Sequence, residues 1–330
     1  MNILGIETSC DETAAAVLSD SQGILSNIVL SQDEIHAPYG GIVPELASRH
    51  HIVSITYIVD ESLRQAEKKI EEIDVFAVTQ GPGLIGSLLV GLNFAKGLAY
   101  YFNKPLIPVD HLEAHTSSIL LENQNIAYPA LALLVSGGHT SLFFQKNPLE
   151  SQMIAKTRDD AAGEALDKIA KFLELGYPGG PIIDRLAQKG DPNSFPFSLP
   201  QMTDGSLDYS FSGFKTAALR YIKKHGITRE HPQINDFLAS FEQAIIRALL
   251  SSLEKSVTTY SPSSLILCGG VARNQKLRKA FAEYANTISI RSYIPSPEFC
   301  TDNAAMVAVA ALEKLKKGKS AGTVRLPLDL

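Results

Sequence analysis

The sequence predicts an α/β protein of two lobes that face a cleft. Short apolar runs separated by turn residues, followed by alternating helix and strand patterns, occur twice in the same order along the 330 residues. A mostly helical stretch at about residues 176–260 interrupts the second copy. A repeated unit of this kind buries its apolar faces by forming two similar lobes.

The first copy has the order β-β-β-α-β-α-β. Its strands are short apolar runs bounded by turn residues, such as Cys10-Asp11-Glu12 in the first hairpin. The long helix starts at Pro44, and proline is favoured in a first helical turn. We predict strands at residues 3–8, 13–18, 24–30, 75–79 and 106–109, and helices at 44–69 and 85–100.

The second copy repeats this order. We predict strands at residues 130–136, 139–145, 152–156, 264–268 and 288–291, and helices at 164–175, 273–286 and 303–317. The insertion contains a proline-rich loop at 192–200 and helices at 213–224 and 236–259. An apolar stripe with a spacing of four predicts a buried helix face formed by Phe237, Phe241, Ile245, Leu249 and Leu253. The predicted lobes are residues 1–110 with 303–330, and residues 111–302.

The composition is that of an ordinary globular protein, with 45% hydrophobic and 20% charged residues. The net charge of −5 means that the protein as a whole does not attract the phosphates of nucleic acid, so an RNA partner must bind to local basic patches. Each candidate patch is also the pattern of a solvated helix face. The patches are Arg220, Lys223 and Lys224; Arg273, Lys276, Arg278 and Lys279; and Lys314, Lys316, Lys317 and Lys319.

Cysteine usage and the N-terminus predict a cytoplasmic protein. Cys10, Cys268 and Cys300 are too widely spaced for a disulfide framework or a C-x-x-C metal site, which fits a reducing compartment. The first residues lack the basic segment of an export signal. The apolar run at 84–102 is interrupted by polar residues and glycines, so we expect a buried helix and no membrane span.

Two histidines four residues apart form the most informative motif. At about 100° per residue, His111 and His115 differ by only about 40° around a helix, so both rings can reach one metal ion. Asp302 is the candidate third ligand, and we expect the ion to be held from both lobes. The alternative is a helix start that carries two satisfied or exposed histidines.

The pair is not an H-E-x-x-H peptidase motif. In that motif the glutamate directly follows the first histidine, close to the ligand face. Here Glu113 lies two residues after His111, about 200° around the helix. We therefore expect Glu113 to point away from the metal.

Three glycine-rich segments are candidates for a nucleotide site. The amides of Gly137 and Gly138 can approach an anion closely. Gly269-Gly270 lies between a predicted strand and a helix, where nucleotides bind in α/β lobes, and Asn274 could then bond a base or ribose. A third segment, residues 176–181, is flanked by Asp167 and Asp184. Each segment is also compatible with an ordinary turn, and each carboxylate with a surface charge.

Seven blocks, in order and across essentially the whole chain, resemble the signature blocks of the bacterial TsaD family. These proteins are tRNA adenosine threonylcarbamoyltransferases, once described as O-sialoglycoprotein endopeptidases. The blocks are His111-Leu-Glu-Ala-His115, Leu134-Val-Ser-Gly-Gly138, Asp159-Asp-Ala-Ala-Gly-Glu-Ala-Leu-Asp167, Gly176-Tyr-Pro-Gly-Gly180, Ser210-Phe-Ser-Gly-Phe-Lys215, Gly269-Gly-Val-Ala-Arg-Asn274 and Thr301-Asp-Asn303.

The resemblance implies an actin-like ATPase fold (ASKHA, ribonuclease H-like). It implies transfer of the threonylcarbamoyl group from threonylcarbamoyl-AMP to the N6 amine of adenosine 37, in tRNAs that read ANN codons. His111, His115 and Asp302 would hold the metal, usually described as iron (Fe²⁺), although Zn²⁺ also suits these ligands. The adenylate, with ATP as a second candidate ligand, would be bound by Leu134, Val135, Ser136, Gly137, Gly138, Asp167, Gly180, Asp184 and Asn274.

The donor is a mixed anhydride, so the enzyme must mainly position the amine and stabilise developing negative charge. We hypothesise that the metal acts as a Lewis acid and that Asp11 and Glu12 accept the proton of the amine. One departure concerns Leu134. Archaeal and eukaryotic relatives often carry a tyrosine there as an extra metal ligand, so donor atoms or water must complete the coordination here.

The family works with a paralogous lobe protein (TsaB), a P-loop ATPase (TsaE) and a separate synthase that makes the adenylate. Ser87, Gly91 and Ala95 form a small-residue ridge, which predicts either close internal packing or a docking surface for a partner. Two rival functions stay open on the residues alone: a metal-dependent glycoprotein endopeptidase and a non-catalytic ATP-binding subunit.

Overall fold

The structure is a computed structural model that describes residues 1–199, 202 and 204–318. Pro200 of the predicted loop, Lys319 of the third basic patch and the predicted lobe segment 319–330 lie outside the described residues. The chain forms two compact units. The first contains Met1–Ile35, Ile42–Gln124 and the residues from Asp302 onward, and the second contains His36–Gly41 and Asn125–Thr301.

The first unit is built on a five-stranded sheet in the order β3-β2-β1-β4-β5. Strands β3, β2 and β1 pair antiparallel, whereas β1, β4 and β5 pair in parallel. Its elements are β1 (Asn2–Glu7), β2 (Glu12–Ser19), β3 (Gly23–Ser31), α2 (Pro44–Gln65), β4 (Val75–Gly81), α3 (Ile85–Tyr101), β5 (Leu106–Asp110), α4 (His111–Ser117) and α11 (Ala304–Lys316), with α1 (Asp33–His36) following β3.

Successive side chains of β1 point to opposite faces of this sheet, and different helices cover the two faces. Leu4 and Ile6 pack in the cluster that includes α2 and α3, whereas Ile3 packs in the cluster with α11. Gly5 points toward α11, because a Cβ built on it would lie 2.4 Å from the carbonyl oxygen of Ala304 and 3.0 Å from the nitrogen of Ala308. The absent side chain therefore lets α11 lie directly on β1.

The second unit repeats the sheet topology, in the order β8-β7-β6-β9-β10, with three antiparallel strands and two parallel ones. This repeat agrees with the duplicated unit predicted from the sequence. The elements are β6 (Ala130–Val135), β7 (Thr140–Asn147), β8 (Glu150–Lys156), α5 (Ala162–Phe172), α6 (Gly179–Ala187), α7 (Ser212–His225), α8 (Ile234–Tyr260), β9 (Ser264–Cys268), α9 (Gln275–Thr287), β10 (Arg291–Tyr293) and α10 (Pro297–Cys300).

The apolar stripe of α8 is the centre of the second unit's core, as its spacing predicts. Phe237, Phe241 and Leu249 are fully buried, in one cluster with residues of β6, α5, α7 and α9. The last strand starts three residues later than predicted, because Ser289 adopts a left-handed φ of 55° after α9 ends at Thr287.

The predicted lobe boundaries at 110/111 and 302/303 differ from the observed division. Residues 111–124 and Asp302 cluster with the first unit. The cause is packing on α11: Ala114 of α4 is buried in the same cluster as Met306 and Ala310, and Leu120 and Leu121 pack against that cluster.

Helix α3 is buried on its small-residue face. Ser87, Gly91 and Ala95 are fully buried, and a Cβ on Gly91 would lie 2.3 Å from Thr8 Oγ1. The hydroxyl of Thr8 donates to the Ser87 carbonyl oxygen at 2.9 Å. The ridge therefore packs internally, which confirms the first of the two alternatives that the sequence left open. Within the described residues, no helix combines the length and apolar character needed to cross a membrane.

Replacement of Gly5 by alanine should move α11, because the new methyl group would overlap the Ala304 carbonyl. We expect Gly5→Ala to lower the free energy of unfolding by about 1–3 kcal/mol, the usual cost of overpacking. Urea unfolding measures this change. Gly97→Ala is the control, since Gly97 is exposed within α3 with open space around it, and it should be neutral or stabilising by up to about 1 kcal/mol. Equal stability of the two variants would contradict the close contact.

Candidate metal and nucleotide sites

Helix α4 places both histidines on one face. Asp110 begins the helix as its N-cap, since its carboxylate accepts hydrogen bonds from the amides of Leu112 at 2.9 Å and Glu113 at 3.0 Å. The rings of His111 and His115 then lie one turn apart, with centroids separated by 4.7 Å. Both side chains are buried.

Asp302 lies two residues before α11 and faces these rings. Its Oδ1 is 3.0 Å from His115 Nε2 and 3.7 Å from His111 Nε2. One donor atom from each of the three residues lies within 4.8 Å of the others. The structure therefore brings together the three residues singled out from the sequence. All three belong to the first unit, contrary to the expectation that the ligands would come from both lobes.

The donor set fits a divalent metal ion. Neither ring nitrogen of buried His115 makes a hydrogen bond within the described part of the chain, although Nε2 lies within ion-pair distance of Asp302. Two imidazoles and one carboxylate are the donors of many Fe²⁺ and Zn²⁺ sites. His111, His115 and Asp302 are therefore the residues that could hold the ion.

Glu113 faces away from this cluster, as its position in the motif predicts. Its Oε2 is 2.9 Å from the ammonium nitrogen of Lys314, which lies about 15 Å along α11 from the start of that helix at 1.5 Å per residue. The carboxylate is therefore not placed to act as the general base of a zinc peptidase.

A hydrogen-bonded network holds the other side of the His111 ring. Nδ1 lies 3.2 Å from Glu7 Oε2 and 3.1 Å from Ser9 Oγ. Burial opposes protonation of this ring, but the charges of Asp302 and Glu7 outweigh burial and raise the pKa of His111 to about 9. The metal-free site therefore retains a proton on His111 at neutral pH.

Asp11 precedes β2 and Glu12 begins it, in an environment that disfavours negative charge. Burial raises the pKa of both carboxyls, and the neighbouring charge of Asp302 adds to the rise. A carboxyl whose pKa is raised is a stronger base when ionised. The pair is chemically able to accept a proton close to the metal ligands.

In the second unit, the turn between β6 and β7 leaves two amides accessible. The Ser136 amide donates to the His139 carbonyl oxygen at 2.7 Å, and the His139 amide donates to Ser136 Oγ at 3.0 Å. Gly137 and Gly138 are exposed between them, and a Cβ on either would meet nothing within 4 Å. The two glycines therefore form an exposed turn, and Gly163 approaches its backbone closely, since a Cβ on Gly163 would lie 2.8 Å from the Cα of Gly137.

Leu134 and Val135 differ from the other candidate residues. Both are fully buried in β6, and their backbones pair with β7. Their side chains are therefore part of the core, and the open part of this segment begins at the turn.

The remaining nucleotide candidates form one connected chain of contacts. Asp167 of α5 accepts hydrogen bonds from the amides of Gly179 at 2.8 Å and Gly180 at 3.2 Å, at the start of α6. Asp184 of α6 accepts from the amide of Gln275 at 3.4 Å, where α9 begins. The side chain of Asn274 caps α9 by accepting from Leu277.

Two buried carboxylates were missed from the sequence. Glu7 ends an apolar strand with no exposed surface, and Glu242 directly follows Phe241 of the apolar stripe of α8 while only 3% exposed. Glu242 accepts a hydrogen bond from the Asn274 amide at 2.6 Å, and burial raises its pKa to about 7. In both cases the sequence signal was an acidic residue directly after a buried apolar residue. A buried charge requires a partner, so such a residue is a candidate for a functional site.

Residues 23–309 match the family model described as TsaD, tRNA N6-adenosine threonylcarbamoyltransferase. The protein of that name from Syntrophus aciditrophicus is 45% identical to this chain, and the match covers 100% of this chain and 98% of that protein. The protein of that name from Geotalea daltonii is 48% identical, with 94% of this chain and 90% of that protein covered.

A solved structure with a similar fold is the activator of the 2-hydroxyisocaproyl-CoA dehydratase from Clostridium difficile with bound ADPNP. It has a TM-score of 0.57 at 14% identity, with 97% of both chains covered. HypF from T. kodakarensis gives a TM-score of 0.63 at 15% identity, over 94% of this chain and 47% of that one. This likeness concerns the fold alone and confirms the predicted actin-like ATPase fold.

The raised pKa of His111 predicts a pH dependence of the metal-free protein. A protonated His111 stabilises the folded state, and this contribution is complete below the unfolded-state pKa of about 6.5. It is lost as pH rises through about 9. Asp302→Asn should lower the pKa of His111 and flatten the dependence, which thermal melts over this pH range and NMR titration of the ring measure. An unchanged His111 pKa in Asp302→Asn would contradict the assigned cause.

Proposed function

Because the chain belongs to the TsaD family of tRNA N6-adenosine threonylcarbamoyltransferases, we propose that it transfers the threonylcarbamoyl group of threonylcarbamoyl-AMP to adenosine 37, in tRNAs that read ANN codons. The observation that carries the proposal is the close set of His111, His115 and Asp302 in a chain that matches this family over its whole length. We also propose a cytoplasmic location, because the proposed substrate is a tRNA.

The reaction joins the N6 nitrogen of the adenosine to the carbamoyl carbon. The bond between that carbon and a phosphate oxygen breaks, AMP leaves with the bonding electrons, and N6 loses one proton. AMP is a good leaving group, so catalysis depends mainly on orientation and on stabilising the negative charge that develops on the carbonyl oxygen.

We assign His111, His115 and Asp302 to a single divalent ion, with Fe²⁺ preferred and Zn²⁺ as the alternative. When bound, such an ion supplies Lewis-acid stabilisation of negative charge on oxygen. Leu134 offers no ligand atom at the position of the tyrosine found in archaeal and eukaryotic relatives. Two imidazoles and one carboxylate therefore leave coordination positions for donor oxygens or water.

We assign the adenylate to the second unit. The exposed amides of Gly137 and Gly138 suit a phosphate, since backbone N–H groups at a turn form an anion-binding concavity. Asp184 suits a ribose hydroxyl, because its buried Oδ1 accepts no hydrogen bond from the described residues. Asp167 holds the amides of Gly179 and Gly180 and thereby orders the start of α6.

We assign Asp11 and Glu12 as the acceptors of the proton that the N6 amine loses. Both have raised pKa values near Asp302, so either can act as a base toward an amine that becomes acidic as its bond to carbon forms. The raised pKa of both carboxyls also favours a state in which one of them is protonated.

We further propose that the protein works with a TsaB-like paralogue, a TsaE-like P-loop ATPase and an upstream synthase that makes the adenylate. An exposed apolar face on α2 and α3 supports the paralogue as a direct partner. Its members are 51–80% exposed, and they are Ile52, Val53, Tyr57, Ile85, Leu89, Tyr100 and Tyr101. A contiguous exposed apolar face of this kind is typical of a protein–protein interface.

Removing one metal ligand should abolish most of the transfer. We expect His111→Ala to lower the rate of adenosine 37 modification by about 100-fold or more, the effect of losing a main stabiliser of the developing charge. The assay is reconstitution with purified synthase, partners and tRNA. Glu113→Gln is the control, because Glu113 pairs with Lys314 away from the ligands, and it should retain activity. Glycoprotein cleavage without tRNA modification would instead support the peptidase.

A charge placed on the apolar face should weaken the paralogue's binding. We expect Val53→Asp and Leu89→Asp to raise its dissociation constant about 30-fold or more, which corresponds to about 2 kcal/mol at an interface centre. Isothermal titration calorimetry measures this change. Phe172→Asp is the control, since Phe172 is an exposed apolar residue of the second unit. Equal affinity of all variants would remove this face from the interface.

A further inference from the structure

Glu7 is a fully buried carboxylate at the end of β1. Its Oε1 accepts a hydrogen bond from the Ser9 amide at 2.5 Å, and its Oε2 accepts from Thr79 Oγ1, at the end of β4, at 2.6 Å. Both donors are neutral, and they lie near the carboxyl ends of two neighbouring strands, β1 and β4. They hold the carboxylate in one orientation, with Oε2 3.2 Å from His111 Nδ1.

The ring of His111 has two neutral tautomers, and its surroundings favour one of them. With the proton on Nδ1, the ring donates to Glu7, and the lone pair of Nε2 faces Asp302 and His115. With the proton on Nε2, the lone pair of Nδ1 would face the carboxylate, and Ser9 Oγ at 3.1 Å would be its donor. Two facing lone pairs repel, and the repulsion is strong at low local dielectric. Asp302 Oδ1 lies 3.7 Å from Nε2, beyond hydrogen-bond distance, whereas Glu7 Oε2 lies 3.2 Å from Nδ1, so the closer carboxylate favours the proton on Nδ1.

We propose that Glu7 is a positioning residue of the metal site, which holds His111 in the Nδ1–H tautomer so that the lone pair of Nε2 can bind the ion. The inference rests on the proposed metal site and adds a residue that does not itself touch the metal. A carboxylate behind a ligating histidine fixes its orientation and raises its basicity.

A purely structural role would not require a charge. A buried carboxylate costs free energy, and an amide of the same shape could accept from the Ser9 amide with its oxygen and donate to the Thr79 hydroxyl with its nitrogen. Within the described residues, His111 is the ion-pair partner of Glu7. The negative charge is thus placed where it acts on the histidine ring.

The first test is metal affinity. We expect Glu7→Gln to bind Co²⁺ or Zn²⁺ 10- to 100-fold more weakly than wild type in a chelator competition titration, the usual effect of losing such a partner. Glu113→Gln, which alters a carboxylate on the same helix that bonds Lys314, should bind like wild type. Unchanged metal affinity of folded Glu7→Gln would overturn the proposal, even if its melting temperature fell.

The second test reads the tautomer in the wild-type protein, so it does not depend on the folding of a variant. Nitrogen-15 shifts of metal-free protein, recorded at a pH at which the His111 ring is neutral, should report a protonated Nδ1 because that atom faces Glu7. A protonated Nε2 would overturn the proposal. If the wild-type protein failed to bind metal, the metal site of the proposed function would be contradicted. The tautomer of His111 would still show whether Glu7 orients the ring.

Discussion

The close contact between β1 and α11 is the constraint on which the metal site depends. Because Gly5 has no side chain, the first turn of α11 lies against the strand at a distance that a methyl group would not permit. Asp302 directly precedes this helix, and α4 packs on the same helix through Ala114. One packing contact, made by a residue without chemistry of its own, therefore sets the separation between the carboxylate and the two imidazoles.

Several carboxyl groups lie close to the proposed metal ligands, and their mutual repulsion must be compensated. Glu7, Asp11, Glu12 and Asp302 place several carboxyl groups in a region where burial disfavours negative charge. The metal-free protein compensates by retaining a proton on His111 and by raising the pKa of Asp11 and Glu12. A divalent cation at the proposed site would supply the same compensation, so the clustered negative charge favours binding of the ion.

The two units use the same sheet topology for different chemistry. In each, the turn after the second parallel strand carries a glycine that approaches the first hairpin: a Cβ on Gly83 would lie 2.5 Å from the Ser9 carbonyl oxygen, and one on Gly269 would lie 2.4 Å from that of Val135. In the first unit, the proposed histidine and carboxylate ligands lie on this backbone arrangement. In the second it carries exposed glycine amides, which suit an anion.

Local pattern in the sequence alone determined most of the elements. The strand and helix order, the buried stripe of α8, the shared face of His111 and His115 and the outward direction of Glu113 all follow from periods of 2 and 3.6 residues, and the structure has them. Family resemblance selected Asp302. Only the tertiary structure decided the unit boundaries, the internal packing of Gly91, the buried state of Leu134 and the pairing of Glu7 with His111. These depend on contacts between residues about 80–190 positions apart, and such contacts are set by how the elements pack, which no local period encodes.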